Sequence, residues 1–292
     1  MVKTRSTGEK LFNIINGAVL FFVILVAVYP LYYMTIISIS HGLEVMKGNV
    51  VWVPKLATLD TYKTIVKGDL FMYMKNTVVY TVVGTAINLF MCCLCAYPLS
   101  RRTFSGRKVF TTIIVVTMFF SGGMIPLYLV INSLGMIDTI WSLVLPVAIN
   151  TYNMIIIRTS FQAIPDSLVE SMQLDGANDF TILMRLVIPL SKAVLATMLL
   201  FFAVSHWNSY FEPMLYLNSK SRYPLQIMLR NMLISGLFTE ESSVAGGAVS
   251  FSVTDATLRA AAIMVTTLPI LVVYPFVQRY FVKGIMIGSL KG

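Results

Sequence analysis

Charged side chains are scarce in this sequence. Asp, Glu, Lys and Arg make up 12% of the 292 residues, about half the share that is usual in a soluble domain, whereas 57% of the residues are hydrophobic. The mean hydropathy is +0.78. These values exclude a soluble globular domain and indicate a protein that crosses a membrane several times.

Acidic residues are the scarcer kind of charge. The sequence has 13 acids against 22 Lys and Arg, which gives a formal net charge of +9. In a soluble protein such a surplus would suggest nucleic acid as a partner. In a membrane protein it is typical of loops on the cytoplasmic side, so we expect a lipid bilayer and no nucleic acid.

Reactive side chains are few as well. His41 and His206 are isolated, and Cys92, Cys93 and Cys95 share one apolar stretch without a neighbouring His or acid. We expect buried thiols, with no metal site and no catalytic site. No G-x-x-x-x-G-K-[ST] loop occurs, so the chain is not expected to bind ATP or another cofactor. Paired carboxylates are missing from the apolar stretches, which argues against a proton-driven carrier.

Long uncharged stretches are abundant. A run of about 20 apolar residues can cross a bilayer as a helix. Six such runs occur, at residues 12–37, 76–99, 109–131, 139–157, 193–211 and 260–278. They predict an all-α integral membrane protein with six transmembrane helices in a single domain, residues 1–292. The first run is too long for a signal peptide and is expected to be a retained helix.

The distribution of Lys and Arg predicts the orientation of the chain. Basic residues are denser in the N-terminus, in the 100–108 and 158–192 loops and in the C-terminus than in the other connections. Cytoplasmic loops collect such residues. Both termini are therefore expected in the cytoplasm, and the long connections 38–75 and 212–259 are expected outside.

Several of the predicted spans contain helix-breaking residues. Proline removes a backbone hydrogen bond and kinks a membrane helix. The prolines within or at the ends of the spans are Pro30, Pro98, Pro126, Pro146, Pro269 and Pro275. The stretch "SGGMIP" at 121–126 predicts a stronger break. No internal repeat is found, which disfavours a secondary transporter built from inverted repeats.

The stretch "ESMQLDGAND", residues 170–179, lies in the connection between the fourth and fifth spans. Ser167 and Glu170 have the spacing of a capping box, and Gly176 can end a helix, which predicts a helix of about two turns over 167–176. An isolated helix this short is unstable in water. Two interpretations are open from the residues alone: a connector that packs on its own chain, or a projection that inserts into a groove of a partner.

The same stretch resembles the EAA motif of ABC importer permeases, E-A-A, three residues, G, nine residues, I-x-L-P. The corresponding residues here are Glu170-Ser171-Met172, Gly176 and Leu186-Val187-Ile188-Pro189. Ser171 and Met172 depart from the two alanines. The segment 275–292 is similar to the end of maltose-type and lactose-type permease subunits. "SGGMIPLYLV" and "YNMIIIRTSFQAIP" are similar to the branch that serves complex oligosaccharides.

This resemblance implies a type I ABC importer-like fold and a set of partners. A homologous second permease would form the pathway with this chain, two ATPase subunits would hold ATP and Mg, and an extracytoplasmic solute-binding protein would deliver an oligosaccharide. The location implied is the bacterial cytoplasmic membrane. The implied contact with the ATPase, a coupling helix, comprises Ser167, Leu168, Val169, Glu170, Ser171, Met172, Asp175, Gly176 and Ala177.

Sugars are bound by amides, hydroxyls and aromatic faces, and such side chains cluster near the fourth and fifth spans. The candidate pathway residues are Asn150, Tyr152, Asn153, Trp207, Asn208, Tyr210 and Glu212. The alternative is structural: the aromatics would form an interfacial belt, and the amides would connect helices. As a whole-protein alternative, an integral-membrane glycan or lipid transferase would need clustered acids or histidines near one face.

Overall fold

A computed structural model gives the structure of residues 7–235 and 252–289. Within these ranges every regular element is helical. The helices are α1 (Thr7–Ser38), α2 (Gly42–Met46), α3 (Asp60–Lys67), α4 (Leu70–Ser100), α5 (Arg107–Phe119), α6 (Met124–Ser133), α7 (Trp141–Val144), α8 (Thr151–Gln162), α9 (Asp166–Leu174), α10 (Asp179–Ile182), α11 (Ile188–Leu190), α12 (Lys192–Asn208), α13 (Phe211–Tyr216), α14 (Leu225–Ser235) and α15 (Asp255–Ser289). The segment Leu183–Val187 is a π-helical turn that joins α10 to α11.

Helices α1, α4 and α15 are long and apolar enough to cross a membrane. Two further spans are broken: α5 and α6 meet at 111°, and the helical run Asp179–Leu190 meets α12 at 87°. The described residues thus contain three spanning helices, or up to five if each bent pair counts as one span. The all-helical prediction is confirmed, and the count of six spans is not.

The fourth predicted span, 139–157, is not a continuous helix. It divides into α7, which has four residues, and α8, which begins at Thr151. Pro146 lies between them and cannot donate a backbone hydrogen bond. Asn150 then caps α8, because its side chain accepts a hydrogen bond from the Asn153 backbone N–H at 3.0 Å. The uncharged run predicted one transmembrane helix over 139–157, and that prediction is wrong because the run is divided around Pro146.

The break predicted at "SGGMIP" is confirmed. Helix α5 ends at Phe119, and α6 begins at Met124 after Gly123, whose φ of 86° is accessible to glycine without steric strain. Pro126 lies in the first turn of α6, where its missing N–H leaves no intrahelical bond unmade. Glycine supplies the bend, and proline is compatible with the start of the next helix.

The described parts of residues 1–70 and 229–268 form one compact unit. Its buried core joins the end of α1 to the start of α15 through Ile36, Ile37 and Ala260. Most side chains in the first two-thirds of α1 are exposed, and Phe22 has 67% of its surface accessible. That stretch is the surface of the unit best suited to contact with lipid.

Residues 71–228, with the described residues from 269 onward, form the second unit. Its largest core packs α4, α8, α12 and the segment from α9 to α11 together. Phe161, Ile182 and Val187 are fully buried there. Cys92 and Cys93 are buried free thiols in the same core, as predicted.

A polar cluster in this unit fixes the segment between α13 and α14. Asp138 accepts hydrogen bonds from the Ser219 hydroxyl at 2.6 Å and from the backbone N–H groups of Ser219 and Asn218 at 3.0 and 3.1 Å. Its carboxylate also lies 3.5 Å from the Arg222 guanidinium. These hydrogen bonds, led by that of the Ser219 hydroxyl, lower the pKa of Asp138.

The same segment is attached to α4. The Asn76 side-chain amide donates to the backbone oxygens of Ser221 and Tyr223 at 2.8 and 3.0 Å. The Leu225 backbone N–H donates to the Thr77 hydroxyl at 2.7 Å. Side chains therefore satisfy backbone groups that no regular element pairs.

We predict that Asp138→Asn destabilises this segment. Asn tolerates the left-handed backbone at position 138, where φ is 58°, so the variant isolates the loss of the charged acceptor. A depressed folded-state pKa means that the stabilisation is present above the ordinary Asp pKa and is lost as the pH falls through the folded value. The melting temperature should drop by roughly 2–5 °C at neutral pH, and the difference from wild type should vanish in acid.

The control for this substitution is Asp60→Asn. Asp60 is exposed and pairs with Lys63 three residues along α3 at 3.0 Å, a kind of pair that contributes little to stability. An equal loss in both variants, or a loss in Asp138→Asn that persists in acid, would contradict the assigned role.

Candidate functional site

The short helix α9 begins where Pro165 ends the preceding turn. Its first residue is Asp166, whose negative charge suits the helix N-terminus. No side chain caps this end. Ser167 is the second helical residue rather than the cap, so the predicted capping box with Glu170 is wrong. The proline and the acid start the helix instead.

The prediction that Gly176 ends the short helix is confirmed, although α9 itself stops at Leu174, two residues earlier. Gly176 has a φ of 80°, its N–H donates to the Gln173 oxygen, and the Ala177 N–H donates to the Met172 oxygen, both at 3.0 Å. This is a complete Schellman motif, in which a left-handed glycine allows two end carbonyls to be satisfied. The motif fixes where the chain turns away from the helix.

The apolar side of α9 packs in part on the chain itself. Val169 is buried in the core, and Met172 and Ala177 pack partly against that core. The sequence left open whether this helix packs on its own chain or projects towards a partner, and Val169 and Met172 pack on the chain. Periodicity locates an apolar arc, but it cannot show which edge of the arc the chain's own helices cover.

Other apolar side chains on this connection are accessible. Leu174 is 90% exposed, Leu168 is 43% exposed, and Phe180 at the start of α10 is 56% exposed. The acids Glu170 and Asp175 are exposed beside them. A surface with prominent apolar side chains among acids fits a protein partner with a groove and a basic rim.

A separate polar cavity of about 350 Å³ lies among α4, α8, α12 and α13. Its lining comes from three parts of the chain, and the lining residues are Asn88, Leu143, Val147, Asn150, Asn153, Phe202, Ser205, His206, Asn208, Ser209, Tyr210, Phe211 and Glu212. The cavity brings five of the seven candidate pathway residues together. Among its described lining residues there is one carboxylate and no Lys or Arg.

The cavity wall is held by an amide that bonds in two directions. Asn88, which is 2% exposed, donates through Nδ2 to the Val147 oxygen and accepts through Oδ1 from His206. His206 Nε2 must therefore carry the proton. Gly84 makes room for the imidazole, because a Cβ at position 84 would lie 2.5 Å from the ring.

The other polar groups of the cavity have only part of their hydrogen-bonding capacity satisfied within the chain. The Ser209 hydroxyl donates to Glu212 Oε2 at 2.7 Å, and Asn208 Oδ1 accepts from the Gln226 amide at 3.3 Å. Asn150 caps α8, as described above. Asn208 keeps its own N–H groups for another acceptor, and an amide can serve a hydroxyl as both donor and acceptor.

Two candidates lie away from the cavity. Tyr152 is 59% exposed on α8 and does not line it. Trp207 lines a different, apolar cavity with residues of α4 and α15. Sequence reasoning missed Asn88 and Ser205. An amide in the middle of the largely apolar span 76–99 was the available signal for Asn88, because such groups need partners inside a membrane.

The described residues contain no group of three or more His, Cys, Asp or Glu side chains that could hold a metal ion. The cavity offers amides, hydroxyls, one carboxylate and the rings of Phe202, Tyr210 and Phe211. Such a lining can bind hydroxyl-rich molecules.

Comparison with known proteins places the chain. Residues 88–287 match the family described as binding-protein-dependent transport system inner membrane component. The chain belongs to this family. It is thus a permease component of a binding-protein-dependent transporter.

Relatives of this permease match it over nearly its full length. It is 40% identical to the polygalacturonan/rhamnogalacturonan transport system permease protein YtcP of Bacillus subtilis. The match covers 97% of this chain and 99% of YtcP. It is also 40% identical to protein LplC of the same organism, and that match covers 99% of this chain and 97% of LplC. A similar chain occurs in the crystal structure of a bacterial ABC transporter involved in the import of the acidic polysaccharide alginate. The two chains are 35% identical and superpose with a TM-score of 0.89, over 96% of this permease and 100% of the other chain.

We predict that Gly84→Ala displaces the His206 ring of the permease. A methyl group at 2.5 Å forces the imidazole to move and breaks its bond to Asn88, and overpacking of this kind destabilises by about 1–3 kcal/mol. The melting temperature should fall. In a His206→Ala background the same change should be neutral or stabilising, because alanine favours a helix over glycine.

Gly17→Ala is the matched control, since nothing lies within 4 Å of a Cβ at that exposed position of α1. It should leave the melting temperature unchanged or raise it. An equal loss in Gly84→Ala with and without His206 would show that the ring is not what the glycine accommodates.

Proposed function

We propose that this permease forms part of the membrane pathway of a bacterial ATP-driven oligosaccharide importer. The observation that carries the proposal is the family match over residues 88–287. It is supported by 40% identity to a permease named for polygalacturonan and rhamnogalacturonan transport and by likeness to a chain of an alginate importer. The polar cavity, whose described lining has one carboxylate and no Lys or Arg, suits the hydroxyls of a sugar.

The proposed assembly contains a second, homologous permease, two ATPase subunits and an extracytoplasmic solute-binding protein. This chain has no nucleotide-binding loop of its own, so ATP hydrolysis is assigned to the partners. We also propose six crossings with both termini in the cytoplasm. The broken pair α7 and α8 would then supply one crossing, beside the three long helices and the two bent pairs.

The helix α9 and its flanks form the proposed contact with the ATPase. Val169 and Met172 bind the helix to the permease core, so movement of α9 must be passed to the helices that pack there. Leu174 and Leu168 are the apolar groups left for a partner. Glu170, Ser171 and Asp175 would lie at the rim of that contact.

We predict that Leu174→Asp uncouples the permease from its ATPase. A carboxylate in an apolar groove is desolvated at a cost of about 2 kcal/mol or more. Leu174 is 90% exposed in this chain, so folding should be unaffected. ATPase subunits that co-purify with the wild-type permease should be lost, and substrate-stimulated ATP hydrolysis should fall.

Val169→Asp is the contrasting variant. Val169 is 6% exposed, so this change should lower the melting temperature of the permease itself. Normal co-purification and stimulation in Leu174→Asp would exclude the contact. Failure of the wild-type chain to co-purify with any ATPase would contradict the proposed assembly.

The cavity around Asn208 and Tyr210 is the proposed sugar contact. We predict that Tyr210→Ala lowers oligosaccharide uptake by about tenfold, the effect of losing one ring face and its hydrogen bond. Assembly and basal ATP hydrolysis should remain. Uptake is measured in vesicles that contain the complete complex, with a neutral and a uronate oligosaccharide in parallel.

Tyr152→Ala is the control for this substitution. Tyr152 is of the same type and is comparably exposed, but it lies outside the cavity. Oligosaccharide uptake by the complex that carries Tyr152→Ala should match that of wild type. If Tyr210→Ala lowers the melting temperature and leaves uptake per folded complex normal, the residue is structural and the pathway assignment fails.

A further inference from the structure

A third feature, apart from α9 and the polar cavity, is a basic cavity at the end of α4. It has a volume of about 460 Å³ and is bounded by the α4–α5 connection and the end of α8. Its lining residues are Ser100, Arg101, Arg102, Arg107, Phe161, Gln162, Ala163, Ile164, Pro165 and Asp166. Nothing in the proposed transport cycle uses these three arginines.

Arg101 is the central observation. Its Nε and Nη2 atoms are buried, and neither has a hydrogen-bond partner in the described structure. The guanidinium carbon lies 5.0 Å from the centre of the Tyr97 ring, which holds the group in place. Buried N–H groups without an acceptor are destabilising, and charged ones especially so. An acceptor from outside this chain, an anion or water, would satisfy them.

The charge of the cavity indicates an anion. Three guanidinium groups face one carboxylate, that of Asp166. No ion pair found in residues 7–235 and 252–289 involves any of these four groups. Guanidinium groups match the oxygens of a phosphate in both charge and geometry. A phosphate group is the ligand that this arrangement fits.

The surroundings of the cavity indicate the source of that phosphate. Arg107 starts α5, and the next turns of that helix expose Val109, Phe110 and Ile113, each more than half accessible. Phe104 stacks on Phe110 with ring centres 5.9 Å apart. A basic cavity at the end of one spanning helix thus continues into an apolar face on the next, as the headgroup and acyl chains of one lipid require.

We propose that this cavity binds the phosphodiester headgroup of an anionic phospholipid, with the acyl chains along α5. Because Pro165 and Asp166 line the cavity and start α9, the headgroup would contact the coupling connection as well as the membrane helices. The proposal rests on the membrane location of the permease and not on its substrate.

The test uses the complete complex in nanodiscs of phosphatidylcholine alone or of an equimolar mixture with phosphatidylglycerol. Lipids retained by the permease are counted by native mass spectrometry. Wild type should retain phosphatidylglycerol in preference to phosphatidylcholine. The double variant Arg101→Gln/Arg102→Gln should lose that preference by about tenfold or more.

Because Arg101 packs on Tyr97, its loss could unfold the region. The pair Arg102→Gln/Arg107→Gln keeps Arg101 and should show the same loss. Lys108→Gln is the matched control: Lys108 follows Arg107 on α5 but is exposed and outside the cavity. It should retain phosphatidylglycerol as wild type does.

Three outcomes would overturn the proposal. Unchanged retention in both arginine pairs would show that the cavity does not bind lipid. An equal loss in Lys108→Gln would show a diffuse attraction between basic residues and the membrane. Stabilisation of detergent-purified complex by inorganic phosphate, without selective retention of phosphatidylglycerol, would assign the cavity to a free anion.

Discussion

The packing of α8 between α4 and α12 is the constraint on which the rest of the second unit depends. Phe161 and Met154 are fully buried at this contact. The same core accepts Val169 from α9 and extends through Phe202 to the wall of the polar cavity. Both proposed functional surfaces therefore share one packed core in the second unit. A change in how α8 packs would displace the two surfaces together.

This arrangement gives transport coupling a physical route. Apolar helices in lipid gain little by associating through burial alone, because lipid tails are as apolar as their side chains. Close packing and buried hydrogen bonds must then hold the core. Small residues such as Ala96, buried near the end of α4, together with the bonded amide of Asn88, meet this requirement. The few polar groups inside the membrane thus lie where neighbouring helices must keep a fixed register.

Sequence reasoning succeeded where the physical signal is local. The break before Pro126 and the end of α9 at Gly176 depend on single-residue backbone preferences, which the sequence states directly. It failed where tertiary contacts decide. Whether Val169 or Leu174 faces a partner depends on neighbouring helices, and no periodicity records them. Composition alone also could not show that the apolar run around Pro146 is divided.

The cavity residues show the same division. Amides and aromatics near the end of α12 were recognised by their chemistry, and five of the seven candidates converge. Tyr152 does not, because helical direction rather than residue type decides which way it faces. Asn88 was missed, since it is far away in sequence and is surrounded by apolar residues. Its proximity to His206 arises only when α4 and α12 pack.

The contact of Gly84 and Asn88 with the His206 ring also has a consequence for evolution. An imidazole at position 206 requires the absence of a side chain at position 84 and an acceptor at position 88 that also donates to Val147. A side chain at position 84 would displace the ring, and loss of the amide at position 88 would remove its acceptor. We therefore expect the three residues to be kept together or exchanged together among relatives of this permease.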